Sequence, residues 1–276
     1  MGDEATEEVR EVWEAVAPGW ERHRQVVFEQ QQAVSERLIQ AVDVSDGDTI
    51  LELTAGPGET GLLLAEQNPK AHVIVSDFAP RMVKAAETAA QARKLTNVEC
   101  RQIDAQEIGL AYDSVQGVLS RYGLMLVPNL EAALSEIRRV LAPGGKLAYA
   151  VWGPLEANAW MMLFGAAFIQ RGHFTPPEGG FFPLTTPDEN RSALESAGFG
   201  SVSVEVVDKT MDFDSTDQYW EVNSSVSGPL ALIARELPEE EIAAVRASLE
   251  EFVAPFRTDS GLSLPAQSLV VQASVA

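Results

Sequence analysis

The sequence predicts an α/β protein built on a doubly wound, mostly parallel sheet. Short apolar runs at residues 50–53, 72–76, 98–102, 115–120 and 147–152 alternate with amphipathic stretches, the rhythm of parallel strands joined by helical crossovers. The first run opens directly into a glycine turn and a helix, ILELTAGPGETGLLLAE. Carboxylates stand at or just beyond the ends of the first three runs: Glu52, Asp77 and Asp104. In an open sheet of this kind ligands bind outside the carboxyl ends of the strands.

The elements follow in order. Residues 5–42 read as two helices, broken at Ala17-Pro18-Gly19 and flanked there by Trp13 and Trp20, with Val27, Val34, Leu38 and Val42 giving the second an apolar face. Ser45-Asp46-Gly47-Asp48 turns the chain into the first strand, Ile50–Leu53. Gly56, Pro57 and Gly58 break that strand, and the glycines let backbone approach a ligand at a helix N-terminus. Gly61, one turn later, lets the helix pack closely on the sheet.

Asp77 ends the second strand 21 residues beyond Gly56 (77 − 56), the spacing at which a carboxylate receives ribose hydroxyls. It can equally cap the helix running from about Pro80 to Lys94. The third strand, Val98–Gln102, ends near Asp104-Ala105, and the fourth covers about Val115–Ser120. Leu130, Leu134, Ile137, Val140 and Leu141 line one helix face, which Pro143-Gly144-Gly145 stops before a fifth strand, Leu147–Trp152.

Beyond Trp152 the alternation lapses. An apolar helix carrying Trp160, Met162, Phe164 and Phe168 leads into a Pro/Gly loop, then a helix at Pro187–Ala197 and a strand at Ser201–Thr210. Residues 215–257 read as acidic helix and Ser268–Val275 as a last strand. With 276 residues, 46% of them apolar, and no repeat or linker, one domain is expected. Its parts are a helical cap over 1–48, a cofactor-binding core over 49–153, a lid insertion over 154–186, and C-terminal strands over 187–276 with a helical insertion at 215–257.

Composition removes several function classes. The formal charge is −21, with 14 basic and 23 acidic groups in residues 1–150 and 6 and 18 in residues 151–276. Neither half can neutralise a phosphate backbone, so no nucleic-acid partner is expected. No apolar run has the length of a membrane span. The acidic opening MGDEATEEVRE is unlike a signal peptide, and a lone Cys100 cannot build a disulfide framework or a multi-cysteine metal site, so the expected address is cytoplasmic.

The acidic strand ends also select among ligands. A carboxylate about 6 Å from one phosphate charge, at an effective dielectric near 20, costs roughly 3 kcal/mol. A pyrophosphate-bearing dinucleotide is therefore disfavoured beside Glu52, Asp77 and Asp104. S-adenosylmethionine fits better, with a ribose diol, an ammonium and a sulfonium but no phosphate. Two alternatives stay open: an NAD(P)-dependent oxidoreductase, and a silent protein that keeps only the cofactor fold.

Four motifs in order, ELTAGPGETG, SDFAPRMVKAA, RQIDAQEI and RRVLAPGGKLAYAVWG, resemble those of class I S-adenosylmethionine-dependent methyltransferases, in the group that includes the ubiquinone/menaquinone-biosynthesis enzymes. The resemblance is strongest over residues 50–153. It implies a Rossmann-like methyltransferase sheet of order 3-2-1-4-5-7-6, last strand antiparallel, with helical cap insertions. It also implies site roles. Gly56 and Gly58 would pass beneath the methionine part, with Glu52 near its ammonium. Asp77 would hold the ribose, Phe78 and Met82 would flank the adenine, and Asp104 with the Ala105 backbone would read its edge. Ser120 would border the methyl donor, and Trp20 resembles an aromatic that closes over the cofactor. Thr54 stands where many members carry glycine.

The reaction implied is methyl transfer to a small, partly apolar acceptor. The protein's main task would be to align the acceptor with the methyl and exclude water. His23, His173 and Tyr122 are candidate bases, none fixed by a motif. Ser120-Arg121-Tyr122-Gly123 follows the fourth strand, without the Asn/Asp-Pro-Pro-aromatic motif of adenine methylation or the carboxylates of magnesium-dependent catechol enzymes, so no metal is expected. Met162 and Phe164, with Tyr122 and His173, are the expected acceptor contacts beneath a lid. The acceptor atom and the oligomeric state have no signature in the sequence.

Overall fold

The computed structural model describes residues 2–177 and 181–276. Its elements are α1 (Gly2–Val42), β1 (Thr49–Glu52), α2 (Glu59–Gln67), β2 (His72–Asp77), α3 (Pro80–Ala92), β3 (Val98–Gln102), β4 (Val115–Arg121), α4 (Leu130–Val140), β5 (Leu141–Trp152), α5 (Ala159–Gln170), α6 (Pro187–Ser196), β6 (Gly200–Phe213), α7 (Thr216–Val226), α8 (Pro229–Glu236), α9 (Glu239–Val253), β7 (Arg257–Thr258) and β8 (Gly261–Ser274). The sheet runs β3-β2-β1-β4-β5-β8-β6, with the two-residue β7 beside β8. Strands β1 to β5 pair in parallel, while β8 lies antiparallel to both β5 and β6. With β7 set aside, this is the 3-2-1-4-5-7-6 order that the motifs imply.

Two layers of helix cover the sheet. Leu62, Leu64 and Ala65 of α2, Ala86, Ala89 and Ala90 of α3, and Val34, Leu38, Ile39 and Val42 of α1 share one core with Ile50, Val73, Val75 and Leu119. Ala133, Leu134, Ile137 and Val140 of α4 and Leu194 of α6 share the other, with Leu51, Ile74, Val118 and Leu147. Adjacent strand residues thus face opposite layers, as the pleat requires. A third core joins α5, α7 and α9 to the far ends of β6 and β8.

The structure differs from the sequence expectation at the N-terminus. Residues 2–42 form one helix of 41 residues with Pro18 inside it, where two helices were expected. An interior proline loses a backbone hydrogen bond and crowds the preceding turn, and tertiary packing offsets this. Ala17 is buried against Ala79 and Met82, and a Cβ at Gly19 would overlap the Ser225 carbonyl of α7. Gly19 serves a close helix crossing rather than a break. The fifth strand also begins earlier than expected, at Leu141, with Pro143-Gly144-Gly145 carried within it beside a register shift near Val115.

Candidate active site at the C-terminal strand ends

The glycine turn is held by the two carboxylates that flank it. Gly56 adopts φ +56° and donates its N–H to Asp77 Oδ2 at 2.8 Å. A Cβ at Gly56 would meet nothing within 4 Å, so the turn borders open space there. Gly58 and Gly61 do the opposite. A Cβ at Gly58 would stand 2.9 Å from that of Ala86, and one at Gly61 would overlap the Glu52 carboxylate. Gly61 instead donates its N–H to Glu52 Oε2 at 2.8 Å.

Both carboxylates are buried. Burial is the main cause that raises Glu52 to about 8 and Asp77 to about 6. The Arg121 charge, and after it the Gly61 N–H, oppose the shift at Glu52; the backbone N–H groups of Ala79, at 2.9 Å from Oδ1, and Gly56 oppose it at Asp77. A cation placed beside them would favour the ionised forms. Donor set, open turn and buried acids therefore fit an S-adenosylmethionine-sized ligand with its ammonium, sulfonium and ribose.

Around this turn the structure gathers most of the expected residues. Phe78 and Met82 pack with Ala17, Trp13 and Trp20 of α1, so the first half of that helix lies across the end of β2. The Trp20 indole donates to the Val226 carbonyl at 3.1 Å, which ties the helix to α7. Asp104 accepts from the Gln106 backbone at 2.8 Å, and the Gln106 amide reaches Thr6 Oγ1 of α1 at 3.1 Å. Ala105 is buried beside them. Ser120 is buried at the end of β4, its hydroxyl 2.7 Å from that of Thr54.

Thr54 takes φ +54°, a left-handed conformation that a β-branched residue rarely adopts. Here the Ser120 hydrogen bond and the absent side chain of Gly123, where a Cβ would overlap Thr54 Oγ1, hold the threonine in place. Tyr122, two residues beyond Ser120, is also left-handed at φ +60°. Two strained residues on one strand edge are a feature of functional sites.

Tyr122 stacks on Trp152, ring centroids 3.9 Å apart and planes 6° from parallel, and Trp160 tilts against Trp152 at 5.0 Å. Burial pushes the Tyr122 phenol well above its ordinary range, so the hydroxyl is a donor, and it gives its proton to Gln31 Oε1 at 2.8 Å.

The remaining acceptor expectations lie elsewhere. Phe164 is buried among Phe168, Tyr219 and Trp220 in the helical core, because α5 turns its aromatic face toward α7 and α9. Met162, on the other side of α5, is exposed. His173 Nε2 sits 2.9 Å from Glu241 Oε2, which also accepts from Arg171, forming a surface ion cluster. His23 is buried with its Nε2 unpartnered, and burial lowers its pKa.

Sequence reasoning passed over three charged groups at this edge. Glu59, the first residue of α2, is buried between Arg24 of α1 and Arg93 after α3. Arg121 ends β4, and Lys209 of β6 lies 5.1 Å from the Trp152 ring centroid. Arg121 stood in the quoted Ser-Arg-Tyr-Gly stretch. Lys209 gave no local signal, since its place depends on how β6 pairs with β8.

Residues 44–159 match the methyltransferase-domain family. With the sheet order and the acidic glycine turn, this marks residues 44–159 as a methyltransferase domain that uses S-adenosylmethionine. By sequence it is similar to demethylmenaquinone methyltransferases. That of Listeria welshimeri is 28% identical over 184 residues, 66% of this chain and 77% of the relative. That of Thermus thermophilus is 35% identical over 121 residues, 43% and 54% of the two chains. In fold it is similar to phosphoethanolamine N-methyltransferase 2 of Haemonchus contortus in complex with S-adenosyl-L-methionine, at TM-score 0.56 and 15% identity over 88% of this chain and 53% of that one. The methyltransferase match removes the NAD(P)-dependent alternative. Among the described residues, no helix is long and apolar enough to cross a membrane.

Proposed function

We propose that the protein methylates a small, partly apolar aromatic acceptor of the hydroquinone type, without a metal. The observation that carries this is the aromatic wall of Tyr122, Trp152 and Trp160 beside the buried Ser120 hydroxyl and its half-buried partner Thr54, at the same strand ends as the glycine turn. A flat ring stacks on such a wall. The likeness to demethylmenaquinone methyltransferases supports a quinone-related ring. When bound, the cofactor supplies a methyl already activated on a sulfonium.

The chain's own groups then have positioning roles. Asp77 receives the ribose hydroxyls in addition to its backbone donors, Gly56 and Gly58 leave room for the methionine part, and Glu52 faces its ammonium. Phe78, Met82 and Trp20 enclose the adenine, whose edge meets Asp104 and Ala105. Trp152 and Trp160 take the acceptor-wall places assigned from sequence to Met162 and Phe164. The residue that ends β4, Arg121, carries a guanidinium rather than a carboxylate, which supports metal-independent transfer. The cytoplasmic address and the absence of a nucleic-acid partner belong to the same proposal, supported by the charge of −21.

The test is direct. Purified protein is incubated with S-adenosylmethionine, a naphthohydroquinone and EDTA, and S-adenosylhomocysteine is quantified. Acceptor-dependent product is expected. Turnover that stops with EDTA and returns with magnesium overturns metal independence. No turnover on any hydroquinone, with cofactor binding intact, overturns the acceptor class.

A further inference from the structure

The chain carries 41 acidic and 20 basic side chains, yet two cations at the active edge have no carboxylate partner. Arg121 makes no hydrogen bond or ion pair among the described residues, its Nη1 is buried without a partner, and its guanidinium lies 6.0 Å from the Tyr122 ring centroid. Glu52 and Glu59 reach it only through space, since Glu52 is bonded to the Gly61 N–H and Glu59 is paired with Arg24 and Arg93. Lys209 contacts the Gln31 side chain, the Gln30 carbonyl at 3.3 Å and Tyr122 Oη at 3.5 Å, all uncharged. It lies 5.1 and 5.7 Å from the Trp152 and Tyr122 ring centroids. The acids flanking it on β6 bond elsewhere, Asp208 to Gln267 and Asp212 to Ser263.

Buried cations without counter-charge are costly. Here they converge on the aromatic wall where the acceptor ring is placed, which gives their missing partner a location. We propose that Arg121 and Lys209 form an anion-holding wall of the acceptor pocket, and that the acceptor is an acidic hydroxyl compound, a phenol or enol, bound as its oxyanion. This rests on the methyl-transfer reading and adds the chemical class that the site selects.

Burial, with the nearby Arg121 charge, brings Lys209 down to about 7, so a large share of it is the free amine near neutral pH. That amine takes the acceptor's O–H proton and becomes the ammonium that pairs with the oxyanion. An electron pair of the anion, on oxygen or on a conjugated ring carbon, forms the new bond to methyl as the S–CH3 pair returns to sulfur. Attack through carbon leaves a neutral dienone whose ring proton passes to water, and the C–H electron pair restores the aromatic ring with the charge back on oxygen beside Lys209 and Arg121. Gln31 and Ser268, on either side of Tyr122 Oη, hold the tyrosine that separates the two cations.

The test needs no turnover. 4-Nitrophenol changes its visible absorption on ionisation, and 4-nitroanisole has the same shape without the acidic proton. Both are titrated into protein saturated with S-adenosylhomocysteine, whose binding is first verified by calorimetry. The wild type is expected to bind the phenolate at least about tenfold more tightly than the anisole, roughly 1.4 kcal/mol. The bound probe is expected to ionise at lower pH than the free one.

Arg121→Met and Lys209→Met should each remove about tenfold of that preference while leaving cofactor affinity and anisole binding unchanged. Arg121→Lys and Lys209→Arg should restore much of it. Equal binding of the two probes by the wild type overturns the proposal, as does a phenolate preference that survives both methionine variants. Should those variants misfold, the wild-type comparison and the charge-keeping variants decide alone. A wild type that does not bind S-adenosylhomocysteine removes the methyl-transfer reading itself, and the anion wall with it.

Discussion

Asp77→Asn separates the structural task of this carboxylate from its task in binding. The two oxygens of Asp77 accept from Gly56 and Ala79 at 2.8 and 2.9 Å, so part of the side chain's acceptor capacity is already used inside the protein. The ribose hydroxyls must bond to what remains, and only the ionised form accepts them well. Burial raises Asp77 to about 6, so affinity for S-adenosylhomocysteine should climb as pH rises through 6 and level off above it. Glu52, raised to about 8, adds its own rise toward that pH as the cofactor ammonium draws it into the charged form, so the step near 6 is read against that slope.

Asparagine keeps the shape but has one acceptor and no charge. At pH 7.5 the variant should lose about 1.5–3 kcal/mol of affinity, the range for a charge-assisted hydrogen bond, or roughly 10- to 150-fold in Kd. Between pH 5 and 7.5 the variant should lack the step through 6 and keep only the Glu52 slope. Stability should move the other way. A carboxyl raised on folding binds protons more tightly in the native state, so ligand-free stability declines as pH rises from the ordinary carboxylate range through 6. The asparagine variant lacks that decline. Calorimetric titrations and thermal melts across the same buffers read both. Wild-type affinity at pH 7.5, or a variant that keeps the pH dependence, refutes the ribose assignment.

Two further substitutions test how the site is supported. Glu59→Gln leaves Arg24 and Arg93 facing each other without their shared counter-charge, at an expected cost of about 2–3 kcal/mol and a Tm drop of roughly 5–10 °C; an unchanged melt would show that α1 is not fastened to α2 through this residue. Phe164→Ala should cost about 3–5 kcal/mol of stability, because the ring is fully buried among Phe168, Tyr219 and Trp220, and an acceptor-selective defect with normal stability would return Phe164 to the pocket wall.

The parts of this architecture visible in sequence are those encoded locally. Strand, glycine turn and helix at 50–66 announce themselves through apolar runs and backbone freedom, and the Gly56-to-Asp77 spacing reflects one strand–helix–strand unit. Those features brought Glu52, Gly56 and Asp77 together at one sheet edge, as the structure has them. Pro18-Gly19 was misread because local propensity argues for a break, whereas the close approach of α7 at Ser225 decides the matter and lies 206 residues away in sequence (225 − 19). Phe164 and Met162 were assigned to a lid because an apolar helix does not declare which face meets a ligand and which meets a neighbouring helix. Lys209 had no chance of being found by pattern. It reaches Tyr122 only through the pairing of β6 with β8, a register fixed by the whole sheet.

Helix α1 has a consequence for the order of events at the two pockets. At 1.5 Å per residue its 41 residues span about 60 Å. Along that length it meets Gln106 through Thr6, Met82 and Phe78 through Trp13 and Trp20, Glu59 through Arg24, and Tyr122 with Lys209 through Gln31, before Val34–Val42 anchor it in the core. The adenosine side and the acceptor side are therefore gripped by a single rod rather than by separate flaps. Settling its first turns onto a bound nucleoside fixes the angle at which Gln31 presents itself to the acceptor wall. By reciprocity, an occupied acceptor wall must tighten the hold on the nucleoside by the same factor. Admission of one reactant and retention of the other become a single thermodynamic event, written into one helix that runs on through Pro18.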